Sequence, residues 1–489
     1  MKLFEAFKQL REERPGEAAF LITSGDRSLP INWWQFTEDI DAVAWMIRKY
    51  CPGGTIGLLG ENSYEWMVCH AAAIFSGATV VPIDMNLRPD EIVARLKFVG
   101  AAAFVHSALY LEKAREVRKL LPGLMTGGFG TLKTDAYLDM ARQALAAGEQ
   151  SIWSSPPRDS GDVSMLVFTS GTTSEPRGAQ LTVAGIEEFI DSAALALPMK
   201  RGQRSLMLLP LHHIFGICTT YLMLTRGVAL GVCPDFRRIY DAVERFRANY
   251  IFLVPALAEI LGAKIDQHGK SAEDALGLPI DWILIGGAPL PRRTYEHLTG
   301  LGVRMLTGYG CTETTALYSI APLTGDPHVG SAGRCSMAPG VEYRVSEDGE
   351  LLIRGKCVMK GYLKDPAHTA KAITDGWYHT GDLGRIDEDG FVWITGRASR
   401  TIVLSSGKKI APEELEEALL SLPGIKEAVV TGNGATREVR AEVFGTVPED
   451  RIRASIQELN GLMPVYKRIS EIVVRDEPFP RTSSGKIRV

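Results

Sequence analysis

The chain has 489 residues, 45% hydrophobic and 23% charged, with 54 Lys and Arg against 58 Asp and Glu for a formal net charge of −4. Such a length exceeds one compact core and points to about two to four domains, while the composition excludes a disordered or fibrous chain and the charge balance argues against nucleic acid as a partner. Seven scattered cysteines without a CxxC pair read as reduced thiols of a cytoplasmic protein, and no apolar run approaches the roughly 18 residues of a transmembrane segment.

The N-terminal MKLFEAFKQLREERPGE is charge-rich and amphipathic, a helix rather than a signal peptide. Thr55 to Leu59 (TIGLL), a helical pattern from Glu65 to Phe75 and the apolar run Ala78 to Ile83 follow βαβ grammar, and Ala101 to Val105 adds a strand. From Lys133 to Arg158 the periodicity fades, so a loop ending in SSPPRDSG is expected. The apolar run beginning at Val163 then opens into FTSGTTSEPRG, Phe168 to Gly178. The hydroxyls of Thr169, Ser170, Thr172 and Thr173, the flexible Gly171 and the guanidinium of Arg177 suit a polyphosphate, although a Ser/Thr-rich surface turn has the same composition. It is not a Walker A loop: the nearest partial match, Gly269-Lys270-Ser271, has Lys264 where the first glycine belongs.

Further buried strands opening into glycine or proline loops are predicted at Ile251 to Val254, Trp282 to Ile285 and Val303 to Leu306. In a doubly wound sheet such loops gather beyond the carboxyl ends of the strands, so the loops after residues 167, 254, 285 and 306 are expected to line one crevice. From about Gly325 to 395 short alternating strands with Asp-Gly turns predict a small antiparallel unit. Beyond Gly396-Arg397, helices at Pro412 to Leu422 and Asp450 to Leu462 alternate with strands near Glu427 to Val430, Val439 to Val447 and Glu471 to Val474, which places a domain boundary near 396–400.

Within these loops Asp382 could chelate ribose hydroxyls or be a solvated turn aspartate. Glu313 suits either Mg²⁺ beside phosphates or the start of a helix. Lys486 lies in a C-terminal tail where it is either solvated or tethered so as to swing onto a reacting phosphate. His212-His213, in LPLHHIFG, is either packed or catalytic, with no third ligand at metal spacing.

LLGENSYEW, FTSGTTSEPRG, LPLHHIFG, GGAPL, GYGCTET, YHTGDLG, GRASRTIVLSSGKKIAPEELE and PRTSSGKI follow one another in this order, and with them nearly the whole chain resembles the adenylate-forming superfamily of acyl-CoA synthetases, luciferases and peptide-synthetase adenylation domains. The resemblance implies an α/β fold with a large N-terminal domain of doubly wound sheets over 1–395, including a small antiparallel β-barrel subdomain at about 325–395. A hinge at 396–400 and a small mobile α+β C-terminal domain at 401–489 complete it. It also implies ATP, Mg²⁺ and CoA, with a substrate carboxylate attacking the α-phosphate and a thiol then taking the acyl group. Thr169, Ser170, Gly171, Thr172, Thr173 and Arg177 would hold the leaving phosphates, with Thr312 and Glu313 at the α-phosphate and metal. Gly287, Ala288, Pro289 and Tyr309 would flank adenine, and Asp382 and Arg397 the ribose. Lys486 would bridge carboxylate and α-phosphate, His213 would gate the acyl site, and rotation about Ser399 would bring the loop at Gly407 to the thiol tunnel.

Ser174 stands where the family usually has glycine, Arg177 where it has lysine, and Ser399 where it has Asp or Lys. The lack of an aspartate in LPLHHIFG argues against an amino acid and for a neutral carboxylic acid, with a medium or long fatty acid favoured and an aryl acid as the alternative. A carrier protein bearing the thiol, or a nucleotide-binding regulatory protein that has lost the chemistry, would use the same framework.

Overall fold

The computed structural model describes every residue except 1, 25–26, 131, 155–158, 170–176, 198, 270, 278–279, 321–329, 337, 405–407, 433–437, 481–486 and 488–489. Among the described residues, a six-stranded sheet runs in the order Met125–Phe129, Ala103–Ser107, Thr55–Leu59, Thr79–Ile83, Val163–Thr169, Arg177–Thr182. All its pairs are parallel except the last. A nine-stranded sheet has a parallel centre, in which Met305–Tyr309, Trp282–Ile285, Tyr250–Leu253, Arg204–Met207, Ala229–Val232 and Ala18–Ser24 are successive neighbours. Central strands of this kind are covered on both faces, and Trp282, Ile283, Leu284 and Ile285 are accordingly all buried.

The antiparallel unit expected before residue 395 is a five-stranded sheet built on the long strand Trp377–Ile386, with sharp turns at Gly349 and Gly390, whose φ values are +82° and +83°. The C-terminal residues form a three-stranded sheet of Ile425–Gly432, Val439–Gly445 and Ile469–Arg475. The helices Pro412–Leu420 and Glu449–Leu462 cover it through Leu415, Leu419, Ile452 and Ile456, a core of its own. Arg400 ties this unit to the chain that enters it, pairing with Glu413 at 3.1 Å and Glu416 at 2.5 Å.

Three expectations change. The segment read as a loop from Lys133 contains the helix Leu132–Ala146, which packs on the helix Trp33–Tyr50 through Leu138, Ala141 and Leu145 against Ala42 and Trp45. That face mixes Leu138 and Leu145 with Ala141 and Ala144, and the weak hydropathy of alanine blurs the period. Pro255 does not open a loop: it is the first residue of the helix Pro255–His268, where its missing N–H costs nothing. The four expected loops also do not leave one sheet. Residues 253, 285 and 309 end neighbouring strands of the nine-stranded sheet, but Val163–Thr169 belongs to the other sheet and turns back antiparallel into Arg177–Thr182. The two strands are therefore a hairpin pair, with Thr169 opposite Arg177.

Where the helices of the two sheets meet, His70 is fully buried, stacked on Trp66 and hydrogen-bonded at 2.8 Å through Nδ1 to the Tyr221 hydroxyl. Burial lowers its pKa from the ordinary 6.5 to about 3. Between these values the unfolded chain binds a proton that the folded chain refuses, so this contribution is complete above pH 6.5 and is lost as pH falls toward 3. At about 1.4 kcal/mol per pH unit, the loss at pH 4 is on the order of 3 kcal/mol. Urea unfolding of wild type and His70→Gln should show the wild-type advantage shrinking by about that amount between pH 7 and pH 4.

Candidate functional site

The segment Tyr309 to Glu313 lies at the centre of the site. Tyr309 ends the strand Met305–Tyr309, beside the Trp282–Ile285 strand with Ile285 opposite Thr307. Gly287, Ala288 and Pro289, which follow that neighbouring strand, therefore emerge at the same sheet edge as Tyr309. Gly310 lets the chain fold back on itself, since a Cβ there would lie 2.3 Å from the Ala316 carbonyl oxygen. Thr312–Thr314 is one 3₁₀ turn, followed by Thr315 and Ala316 in the left-handed region at φ +50° and +63°. These uncommon conformations are held by the Thr315 hydroxyl donating to the Cys357 carbonyl at 2.7 Å and by Ala316 N–H donating to Cys311 O at 2.9 Å.

On one side of this segment lies Asp382, 4% exposed. It accepts a hydrogen bond from the Tyr309 hydroxyl, and its Oδ1 is 2.7 Å from Arg397 Nε. Arg397 stands opposite Asp382 in the antiparallel ladder and is 47% exposed, so the pair presents a buried carboxylate behind a solvent-facing guanidinium. Burial, reinforced by that carboxylate, pushes the Tyr309 phenol well above its ordinary pKa and keeps it a donor.

On the other side lies Glu313. Its Oε1 accepts from the Tyr362 hydroxyl at 2.9 Å, and the guanidinium of Arg177 lies over the Tyr362 ring, 5.8 Å from its centroid. Backbone pairing brings these together: Gln180 N–H donates to Gly361 O and Leu363 N–H to Gly178 O, at 2.9 and 2.8 Å, while Met359 N–H donates to Glu313 O at 2.8 Å. Cys311, between the two groups, has its thiol pushed up to about 12 by burial and then by Glu313, so it stays a neutral thiol beside the site. Among the described residues no group of three or more His, Cys, Asp and Glu could hold a metal. A lone carboxylate such as Glu313 suits Mg²⁺, whose remaining ligands are phosphate oxygens and waters, better than Zn²⁺.

The LPLHHIFG stretch lies between the strand Arg204–Met207 and the helix Ile214–Thr225, with His213 at the helix N-cap. Asn62 clamps it from the other sheet: its side chain donates to Leu209 O at 2.9 Å and accepts from Leu211 N–H at 3.1 Å. His212 is buried, 3.6 Å from Asp84 Oδ1, with its ring 4.4 Å from that of His213. Burial lowers the His212 pKa, only partly opposed by Asp84, so the imidazole is neutral. His212 is thus packed and neutral, with the His213 ring beside it at the helix start.

Of the residues singled out in the sequence, Tyr309, Asp382 and Arg397 touch, while Thr312 and Glu313 follow directly along the chain from Tyr309. Thr169 pairs with Arg177 across the hairpin, and Arg177 reaches Glu313 through Tyr362. Ser170, Gly171, Thr172, Thr173, Ser174, Gly407 and Lys486 lie outside the described residues. Ser399 is exposed in the turn Ala398–Arg400. Two functional candidates were missed. Tyr362 has no sequence signal; Asp365 precedes Pro366 as a helix start, but its contact with Arg177 crosses the fold.

A family model described as AMP-binding enzyme matches residues 7–363, and one described as AMP-binding enzyme C-terminal domain matches residues 399–488. A long-chain fatty acid–CoA ligase of Mycobacterium bovis is 29% identical over 448 residues, covering 80% of this chain and 74% of that one. A 4-coumarate–CoA ligase of Oryza sativa subsp. japonica is 29% identical over 483 residues, covering 89% of this chain and 82% of its own length. The crystal structure of ATP-bound MatB from Rhodopseudomonas palustris superposes with a TM-score of 0.83 at 22% identity, over 99% of this chain and 97% of that one. This last likeness establishes the α/β fold.

Removing the Asn62 side chain leaves a buried carbonyl and a buried N–H without their partner, each costing about 1–3 kcal/mol. Asn62→Ala is expected to lower unfolding free energy by about 2 kcal/mol or more in urea titration.

Proposed function

This chain belongs to the AMP-binding enzyme family, and we propose that it is an AMP-forming carboxylic acid–CoA ligase acting on a medium- or long-chain fatty acid. The observation that carries this reading is the pair of clusters on either side of Tyr309 to Glu313: a buried carboxylate with a guanidinium at Asp382 and Arg397, and a carboxylate aligned with a second guanidinium at Glu313 and Arg177. The first has the donor and acceptor set of a ribose site, the second that of a metal-bound polyphosphate.

In the proposed reaction a carboxylate oxygen of the acid attacks the α-phosphorus of ATP, the bond to the pyrophosphate oxygen breaks, and an acyl adenylate forms. A CoA thiol then gives up its proton, its sulfur bonds to the acyl carbon, and AMP leaves. The nucleophiles belong to the substrates, so the protein's work is orientation and charge stabilisation. Arg177 and Thr169, with 170–173, hold the pyrophosphate; Asp382 and Arg397 hold the ribose; Ala288 and Tyr309 flank the adenine. Glu313 is the residue to hold Mg²⁺, which when bound neutralises phosphate charge. Lys486 bridges the substrate carboxylate and α-phosphate, and His213 gates the acyl site. For the thiol step, residues 401–489 turn about the 396–400 hinge, bringing the loop at Gly407 forward. Arg400, paired with both Glu413 and Glu416, supports this reading by tying the hinge end to that unit through contacts that do not involve the uncharged Ser399. A cytoplasmic setting is supported by seven free cysteines.

An aryl acid is the second reading, favoured by the rice relative, whose name assigns it 4-coumarate. Pyrophosphate exchange across a panel of fatty, aryl and short acids, followed by addition of CoA or a phosphopantetheinyl carrier protein, separates these. Exchange with medium or long fatty acids and acyl transfer to CoA is expected; exchange confined to aryl acids would transfer the assignment, and none with any acid would refute the ligase. Glu313→Gln should reduce exchange on the order of 100-fold, with the fold retained by circular dichroism.

A further inference from the structure

Arg177 has a counter-charge outside the proposed phosphate site. Its Nε is 3.5 Å from Asp365 Oδ2, and both side chains are largely shielded, 20% and 28% exposed. Asp365 is itself fixed: it caps the helix Pro366–Ala372 by accepting from His368 N–H at 3.1 Å, and its Oδ1 is 2.9 Å from His368 Nδ1. The guanidinium is thus held against a carboxylate whose own position is set by a helix start, with the Tyr362 ring as the surface beneath it. The same Tyr362 hydroxyl reaches Glu313, so the direction of Arg177 is registered to the proposed metal carboxylate.

We propose that Asp365 is a positioning residue for phosphate binding: it aims the Arg177 fork from the edge, across Tyr362, toward the triphosphate. The inference rests on the reading of Arg177 as a phosphate ligand. A guanidinium is planar and presents several donor edges, so one edge can meet a carboxylate while another meets phosphate; an ammonium is a single point of charge and gains no direction from such a neighbour. The arginine found where the family usually has lysine and the carboxylate at 365 therefore work as a matched pair. Asp365 orients rather than competes, because its charge is already shared with His368 and a 3.5 Å contact is weaker than the short charge-assisted bonds a phosphate offers.

A double-mutant cycle tests this, using Asp365→Asn, Arg177→Lys and both together. Asparagine caps helices as well as aspartate, so the helix start is preserved and melting temperatures should match wild type. The readouts are the dissociation constant of ATP by calorimetry with Mg²⁺ present, and KM for ATP against kcat in pyrophosphate exchange. In the wild-type background Asp365→Asn should weaken ATP binding and raise KM by about three- to tenfold, more than it changes kcat, whereas in the Arg177→Lys background it should change neither by more than about twofold. Equal losses in both backgrounds, or tighter ATP binding by Asp365→Asn, would overturn the positioning role. If wild type binds ATP but exchanges no pyrophosphate, the ligase reading fails while the calorimetric cycle still decides this one. If wild type binds no ATP, both fall.

Discussion

A carboxylate that is 4% exposed must find compensation for its charge, and Asp382 finds it in the Tyr309 hydroxyl and the Arg397 guanidinium. Each partner comes from a different place. Tyr309 ends a strand of the nine-stranded sheet, Asp382 lies in the long strand of the antiparallel unit, and Arg397 is the last residue of the strand before the C-terminal unit. Neutralising one buried charge thereby joins the large sheet to the antiparallel unit and to the last strand before the C-terminal unit.

From that point the rest of the site follows by chain connectivity. Tyr309 and Glu313 are separated by a single turn, which Gly310 allows and the left-handed Thr315 and Ala316 complete. Glu313 then meets Tyr362, and Tyr362 meets Arg177 on the hairpin of the other sheet. The two sheets and the antiparallel unit are thus joined through polar contacts within the site itself. Under the proposed reading, one nucleotide bound there engages all of them at once.

Local chemistry was legible where residue type and spacing carry physical meaning over a few positions. The alternating strand Glu342–Val345, the buried Trp282–Ile285 strand and the amphipathic first helix, with Leu3, Phe4, Phe7 and Leu10 inward, form as expected, whereas the strand Glu350–Arg354 forms without alternation, Leu351, Leu352 and Ile353 all being buried. The helix Leu132–Ala146 was not legible because alanines blur its apolar period, and its burial is decided by the partner helix rather than by its own hydropathy. That Val163–Thr169 pairs antiparallel with Arg177–Thr182 was not legible, because a strand's next partner is a long-range choice that its own composition does not carry.

The sequence by itself determined the inventory: an α/β chain carrying Glu313, Asp382, Arg397 and Arg177 as residues of suitable chemistry, and through its ordered motifs the family to which they belong. Only the tertiary structure decided which of these residues meet. Tyr362 and Asp365 show why, since hydrogen bonds and ion pairs act over a few ångströms. Tyr362 lies 49 positions from Glu313, and that separation becomes 2.9 Å only after backbone pairing has carried the 359–363 segment alongside the hairpin.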